Sequence, residues 1–490
     1  MSNADVPQGF RRLHPLTMLY GVITSLPGAL FSLYLALNNP GEFIYIAIAV
    51  FFGLTSMPFV VLRWFYFQFE ISAQAVTIHS GVLSRQQRSI AIGKIQNVEI
   101  RQNFLQRLLG LAQVAIETAS SAREAEGALN YVSVQEAEHI RGVLQALRDG
   151  GTPAIAAAET TELPLFAMQP RDVVISGALR FSPVIFAVAF SASQYWQMYS
   201  GEDAFDLIYG QFGQMESWQV ALMFAAFGIG AIIVSWIGGI ILNFNRFYGF
   251  SIELRGNKLY KQHGLFARWK GTIPLPKIQM LRISANPLMR MFGMARLEVQ
   301  TAGFGSEKSG AEIAVPMANR EAVAALGASI MNFSLPETFS PLSPLAVRRA
   351  AIRYALMLLI PALPAGWLLT SYIYWLLVLL PLAWLASLLR FRWRGYALDA
   401  FGNIIVKSGW LNNRIAVIPA SKVQALVVES TFFQRRLGLA TVIFDTAATA
   451  GLRDAAIVDL ATDDALRLAA DVEKLLSAKH AGNRGNGYNA

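Results

Sequence analysis

Long apolar blocks alternate with long polar segments along the chain, and the alternation occurs three times. Leu16–Leu37 (LTMLYGVITSLPGALFSLYLAL) carries no charge. It is long enough to cross a bilayer, which takes about 20 helical residues. A turn at NNPGE follows, and Phe43–Phe67 runs back with Arg63 near its end. A cleaved leader does not fit the first block, which is too long, lacks a small-x-small site and is followed at once by a second span. A second pair is predicted at Val173–Trp196, with its core at Leu179–Tyr195, and at Trp218–Phe244. Arg180 is expected near a span end, where its head group reaches water. Gly228, Gly230, Ala231, Gly238 and Gly239 allow close helix packing in the return span. The third pair, Tyr354–Leu369 and Ile373–Leu389, is short and interrupted by Pro361, Pro364 and Pro381. It either spans a thin hydrocarbon layer or re-enters it.

The polar segments repeat one pattern. Aligned on Gly81, Gly264 and Gly409, they place Lys94, Lys277 and Lys422 thirteen residues later, and Gln96, Gln279 and Gln424 two beyond. Gly110, Gly293 and Gly438 follow sixteen residues after each lysine, with Arg107, Arg290 and Arg435 three before them. Thr118, Thr301 and Thr446 come eight after those glycines, each followed by alanine. Five matched positions without a gap define an internal repeat. FEISAQAVTIHSGVL, FSIELRGNKLYKQHGLF and YALDAFGNIIVKSGWL each read as strand, turn, strand, with Gly256-Asn257 and Gly402-Asn403 at turns. VAIETA, LEVQTA and VIFDTA read as later strands. Each copy ends in a helical pattern. Ser133 with Glu136 precedes Val134–Arg148, Asn319 caps Arg320–Asn332, and Thr462 caps Asp463–Ala478.

The expected fold class is integral membrane helical hairpins plus β: six transmembrane helices in three pairs, each pair followed by an antiparallel β domain with a C-terminal helix. The expected segments are 1–67, an N-terminal segment and hairpin; 68–150, the first β domain; 151–246, a linker and the second hairpin; and 247–333, the second β domain. A linker and third hairpin at 334–393, the third β domain at 394–478 and a Gly/Asn-rich tail at 479–490, expected to be disordered, complete the chain.

His14-Pro15 before the first span, the G-x(12)-K-[IV]-Q pattern, the R-x-x-G turn and the Thr-Ala strand together resemble the bacterial membrane-flanked, pleckstrin-homology-like (PH-like) domain family, in its long, YdbT-like three-copy form. The resemblance covers about residues 8–478. It implies a split barrel, two packed antiparallel sheets with a helix across one open end, and an inner membrane of the bacterial envelope. It implies no settled biochemical activity. The second and third copies lack the histidine that precedes the first.

Composition agrees with membrane spans: 54% of residues are hydrophobic and 15% are charged, with mean hydropathy +0.41. With no cysteine, thiolate metal sites, disulfides and cysteine nucleophiles are excluded. The five histidines are scattered, so no metal site and no cofactor is expected. Arginines flank the hairpin bases and none lies at the three tips, which places both termini and the β domains in the cytoplasm. Residues 247–333 carry 11 basic and 5 acidic residues, whereas 68–149 and 394–478 each balance, 8 against 8 and 9 against 9. Lys258, Lys261, Arg268, Lys270 and the repeated Lys94, Lys277 and Lys422 are therefore candidate contacts to anionic lipid or a partner. Gly81, Gly264, Gly409, Gln96, Gln279, Gln424, Arg107, Arg290, Arg435, Gly110, Gly293, Gly438, Thr118, Thr301 and Thr446 are expected to serve the fold. There is no phosphate loop, HExxH or nucleophile elbow, and catalysis is not expected. The leading expectation is a non-catalytic membrane scaffold that binds membrane lipid, a second copy of itself or a shorter single-domain PH-like membrane protein, and no nucleic acid. The alternative is a transporter or lipid-handling protein built from the hairpins.

Overall fold

The computed structural model describes residues 9–39, 41–118, 127–148, 164–180, 191, 194–195, 216–302, 311–368, 379–447 and 455–485. The first copy opens with β1 (Arg11–Arg12), α1 (Leu16–Asn38) and α2 (Phe43–Tyr66). Strands β2 (Gln68–Ile71), β3 (Ala75–Ser80) and β4 (Gln86–Ala91) follow. A one-turn 3-10 helix at Ile92–Lys94 leads to β5 (Ile95–Gln102), then α3 (Phe104–Leu108), β6 (Leu111–Thr118), β7 (Gly127–Ser133) and α4 (Val134–Arg148).

The second copy repeats the plan. It has β8 (Phe166–Ala167), α5 (Pro170–Ala178), α6 (Ser217–Phe247), β9 (Ser251–Arg255), β10 (Lys258–His263) and β11 (Arg268–Pro274). A 3-10 turn at Leu275–Lys277 leads to β12 (Ile278–Ala285), α7 (Pro287–Met291), β13 (Met294–Thr301), β14 (Ala311–Asn319) and α8 (Arg320–Ile330). The third has α9 (Leu345–Leu368), α10 (Leu379–Arg392), β15 (Gly395–Leu398), β16 (Asn403–Ser408) and β17 (Asn413–Pro419). After a 3-10 turn at Ala420–Lys422 come β18 (Val423–Glu429), α11 (Phe432–Arg435), β19 (Leu439–Thr446), β20 (Ala456–Ala461) and α12 (Thr462–Gly485).

Helices α1, α2 and the Gly228–Phe247 part of α6 are long and apolar enough to cross a membrane. Most of the span expected at Val173–Trp196 lies outside the described residues beyond α5, as does the stretch joining α9 to α10. Two sequence-based bounds change. Helix α12 continues to Gly485, so the expected disordered tail does not begin at 479. Lys479, His480 and Ala481 are acceptable helix residues, and an isolated glycine costs only about 1 kcal/mol. Asn403 belongs to β16, because the Asp399 side chain accepts from the N–H groups of Phe401 and Asn403 and closes the turn before it.

Within a copy, the third and fourth strands do not pair. Instead, the fourth strand of one copy pairs with the third of the next, β5 with β11 and β12 with β17. The four sheets run β1-β2-β3-β4, then β7-β6-β5-β11-β10-β9-β8, then β14-β13-β12-β17-β16-β15, then β18-β19-β20. The chain forms two compact units, Met1–Val173 with Ile241–Ile273, and Val174–Ile240 with Pro274–Ala490. The division falls at the 3-10 turn of the second copy, so the segment expected as a domain at 247–333 contributes strands to both units.

In the first unit, the inner faces of β2–β4 and β5–β7 enclose Phe69, Val76, Ile90, Val98, Val114, Ile116 and Leu129, with Ile140 and Leu144 of α4 closing one end. The alternation of buried and exposed positions in β2 and β3 is that of a sheet with one wet face. In the second unit the third copy builds the same core from Ile404, Val406, Ile418, Val442, Phe444 and Leu468.

Candidate membrane-facing site

The repeated residues have local geometric jobs. Gly81, Gly264 and Gly409 begin the turn between second and third strands with φ of +103°, +115° and +80°. A Cβ there would lie 1.9, 1.8 and 2.1 Å from the carbonyl oxygen of Ser84, Ala267 and Asn412. Only glycine fits. Lys94, Lys277 and Lys422 each close the 3-10 turn that carries the chain from one sheet to the next. Lys422 donates to the Pro276 carbonyl at 2.6 Å. Gln96, Gln279 and Gln424 stand at the same register slip of the fourth strand, where Ile95, Ile278 and Val423 face Thr118, Thr301 and Thr446. Gly110, Gly293 and Gly438 accept, through their carbonyls, the first N–H of α4, α8 and α12 at 3.3, 3.0 and 3.0 Å. Arg107 and Arg435 are exposed. Arg290 stacks over Trp393 at 4.4 Å.

Two further features recur in every copy, and in the first two copies both lie near the ends of the hairpin helices. The glycine turns each raise an exposed apolar tip: Leu83, Phe266 and Leu411. The second of these turns is fastened to the end of α6, since Leu265 N–H donates to the Asn245 carbonyl and Phe266 N–H to its side chain. Arg85, at the foot of the first, lies over Tyr66 at the end of α2. The short helices α3, α7 and α11 expose Phe104 and Leu108, Leu288 and Met291, and Phe432 and Phe433. The caps of α3 and α7 also reach the hairpins. Asn103 caps α3 and donates to Tyr20 of α1 at 2.7 Å. Asn286 caps α7 and donates to the Leu179 carbonyl at 2.7 Å. Clusters of exposed apolar side chains beside a basic residue, at the end of a membrane-length helix, suit an interface between water and lipid. Their signal is in the sequence, as an aromatic or aliphatic pair beside the R-x-x-G arginine, but its exposure is not.

The foot of the third hairpin holds a cavity of about 360 Å³ lined by Tyr354, Arg390, Arg394, Lys407, Trp410 and Arg414, among others. Arg390 donates to the Tyr354 hydroxyl at 2.7 Å. Among the described residues the buried Arg394 Nε finds no hydrogen-bond acceptor. Burial, and then the charge of Arg390, pushes the Arg394 pKa down to about 10. Burial likewise lowers that of Lys407. Crowded, partly dehydrated cations of this kind favour an anionic group such as a phosphate.

The basic residues of the second copy are only partly displayed. Lys261 is buried, with its Nζ 4.7 Å from the Trp269 ring centre. Lys270 donates to Glu138 of α4 at 2.6 Å. Arg282 pairs with Glu298 at 3.2 Å. Lys258 is half-buried, and Arg268 is exposed. Among the described residues no cluster of three or more His, Asp or Glu side chains is placed to hold a metal.

Paired half-sheets closed by one C-terminal helix, repeated behind apolar helices, define a PH-like repeat protein. The chain belongs to the bacterial PH domain family, whose profile matches residues 22–148, 210–333 and 354–476. Over 482 residues it is 22% identical to the UPF0699 transmembrane protein YdbT of Bacillus subtilis (strain 168), covering 93% of this chain and 96% of that relative. No solved structure matches it.

Proposed function

We propose that this protein is a non-catalytic scaffold of the bacterial inner membrane. Six spans in three hairpins, with cytoplasmic termini, hold three PH-like domains against the anionic leaflet. The carrying observation is the set of exposed tips, Leu83, Phe266 and Leu411, together with the apolar short helices, those of the first two copies being fastened near the ends of hairpin helices. Each tip enters the headgroup layer, and the nearby arginines attract anionic lipid, which contributes about 1 kcal/mol per well-placed cation. The pocket around Arg390 and Arg394 takes a headgroup phosphate. Holding three weak lipid-facing surfaces on one chain raises their joint affinity without any single strong site.

The absence of cysteine makes the test direct. Leu411→Cys and Met291→Cys are labelled singly with an environment-sensitive fluorophore in the full-length protein. The protein is then reconstituted in phosphatidylcholine vesicles with and without phosphatidylglycerol. The expected result is blue-shifted emission, quenched by chain-labelled nitroxide lipids, and stronger with the anionic lipid. Water-like emission from both positions in both vesicles would overturn the reading.

A further inference from the structure

Among the described residues, two strand edges lack the partner that their equivalents in the other copies have. At both internal junctions the fourth strand of one copy pairs antiparallel with the third strand of the next: β5 with β11, and β12 with β17. The third strand of the first copy, β4, and the fourth strand of the last, β18, have no such neighbour among the described residues.

The two existing junctions use one register. Ile100 faces Lys270 in the first, and Ile283 faces Ile415 in the second. Counted from the repeated lysine and the turn glycine, both pairs join position six to position six. The flanking pairs agree as well, with Arg101 facing Trp269 and Ser284 facing Arg414. Carried to the uncovered edges, the same register sets Val428 of β18 opposite Gln87 of β4, Val427 opposite Arg88, and Glu429 opposite Gln86. Glu429 then lies diagonal to Arg88 on one face of the sheet, an attractive arrangement.

Exposure tells the same story. In the junction strands, Leu281, Ile283, Ile415 and Val417 are buried. Their counterparts at the ends are less covered: Leu426 and Val428 of β18 are only half-buried, and Gln87 and Ser89 of β4 are exposed. The aromatic contact at the first junction has unfilled equivalents too. Phe104 meets Phe266 edge to face at 5.5 Å. Phe432 and Leu83 occupy the matching positions on the uncovered edges and are 55% and 95% exposed. An apolar edge such as VQALVVE, left bare, would invite unregulated pairing.

We propose that a second copy of this chain covers these edges: β18 of one copy pairs antiparallel with β4 of the next and builds a third junction like the first two. The pairing is heterologous, so repeated addition gives a ring or a row of copies along the membrane. The inference rests on the scaffold reading for its setting, since membrane anchoring holds the copies in one plane.

Two full-length chains with different tags are co-produced in one membrane, one carrying Gln87→Cys and the other Val428→Cys. Mild oxidation is expected to give a mixed dimer, several-fold more abundant than that from Arg88→Cys with Val428→Cys, whose side chains leave opposite faces of the sheet. A single chain carrying both Gln87→Cys and Val428→Cys is expected to give a ladder of dimers and higher forms. Glu429→Arg is expected to reduce the mixed dimer and Arg88→Glu in the partner chain to restore it. No mixed dimer, or equal yields from the in-register and off-register pairs, would overturn the proposal. So would an internal disulfide in the doubly substituted monomer without a ladder, because the two edges would then be closing on each other. Lipid-dependent fluorescence at Leu411 and Met291 reports the scaffold reading separately, so failure of one is not failure of the other.

Discussion

At the scale of single residues, His263 shows how the junction chemistry ties stability to pH. Its ring stacks with Trp269 at 5.3 Å and Phe250 at 6.1 Å, and its Nδ1 lies 2.8 Å from the Arg246 carbonyl. Burial, and then the charge of Lys261, holds its pKa at about 3 against an ordinary 6.5. The folded state therefore keeps the neutral ring, while the unfolded chain binds the proton near pH 6.5. The stability contributed is fully present above that pH and is lost progressively as pH falls toward 3. His263→Phe keeps the stacking surface but does not titrate. Hydrogen exchange of β10 between pH 7 and 4, corrected for intrinsic rates, is expected to show a wild-type opening free energy that falls by up to about 1 kcal/mol per pH unit relative to the variant. Parallel pH profiles would show that the buried ring does not govern this strand. Much at this scale is legible as spacing. The glycines, glutamines and threonines stand out because three copies place them alike. Their jobs are less legible, because a bulge at Gln279 or a close approach at Gly264 is a relation to a partner segment that spacing along one chain does not contain.

At the scale of elements, the junction between β5 and β11 is held by one buried carboxylate. Glu99 is only 2% exposed and accepts from Arg101 Nε at 2.9 Å, Trp269 Nε1 at 3.1 Å and Asn97 Nδ2 at 3.2 Å. Trp269 lies on the neighbouring copy, so the contact joins two repeats. Removing the carboxylate strands donors that folding has taken out of water, at a cost of about 1–3 kcal/mol after allowing for the partial exposure of Arg101. Glu99→Ala is expected to raise exchange in β11 by roughly tenfold or more, which corresponds to 1.4 kcal/mol, while β12 and β17 stay protected. Equal loss of protection at both junctions would place the effect in global unfolding instead. Elements are the most legible level of this chain. Apolar block length predicts α1 and α2 to within one residue and α6 to within three, and capping side chains mark the start of Val134–Arg148. The 3-10 turns and one-turn helices are too short for periodicity to reveal.

At the scale of the whole molecule, the repeat in the sequence and the unit of folding are not the same length of chain. Sequence spacing marks a copy as ending near residue 150, after α4. The sheets end elsewhere, because the split barrel leaves its third and fourth strands free to pair with neighbours, and β5 finds its partner only at Arg268–Lys270. No pattern within one copy discloses this, since β4, β11 and β17 have the same place in the repeat and differ only in what lies beside them. The distinction has a consequence for truncation. A chain ending at residue 150 keeps the first core but exposes the β5 edge, whereas one ending at residue 276 keeps the seven-stranded sheet with both its halves. Each lost ladder bond is worth about 1 kcal/mol, and burial of Trp269 adds to that. In detergent, the longer piece is expected to protect the β5 amides at least tenfold better and to resist proteolysis at Arg101 and Arg107. The isolated segment 247–333 is expected to show no cooperative unfolding, because both of its half-sheets lose their partners at once. Equal protection of β5 in the two longer pieces, or cooperative folding of the isolated segment, would mean that each copy stands alone and that strand sharing is an accessory to the fold. If sharing is the basis of stability, as the buried Glu99 and the common register argue, then the copies stabilise one another in order along the chain, and the two terminal edges are the places where that order asks to continue.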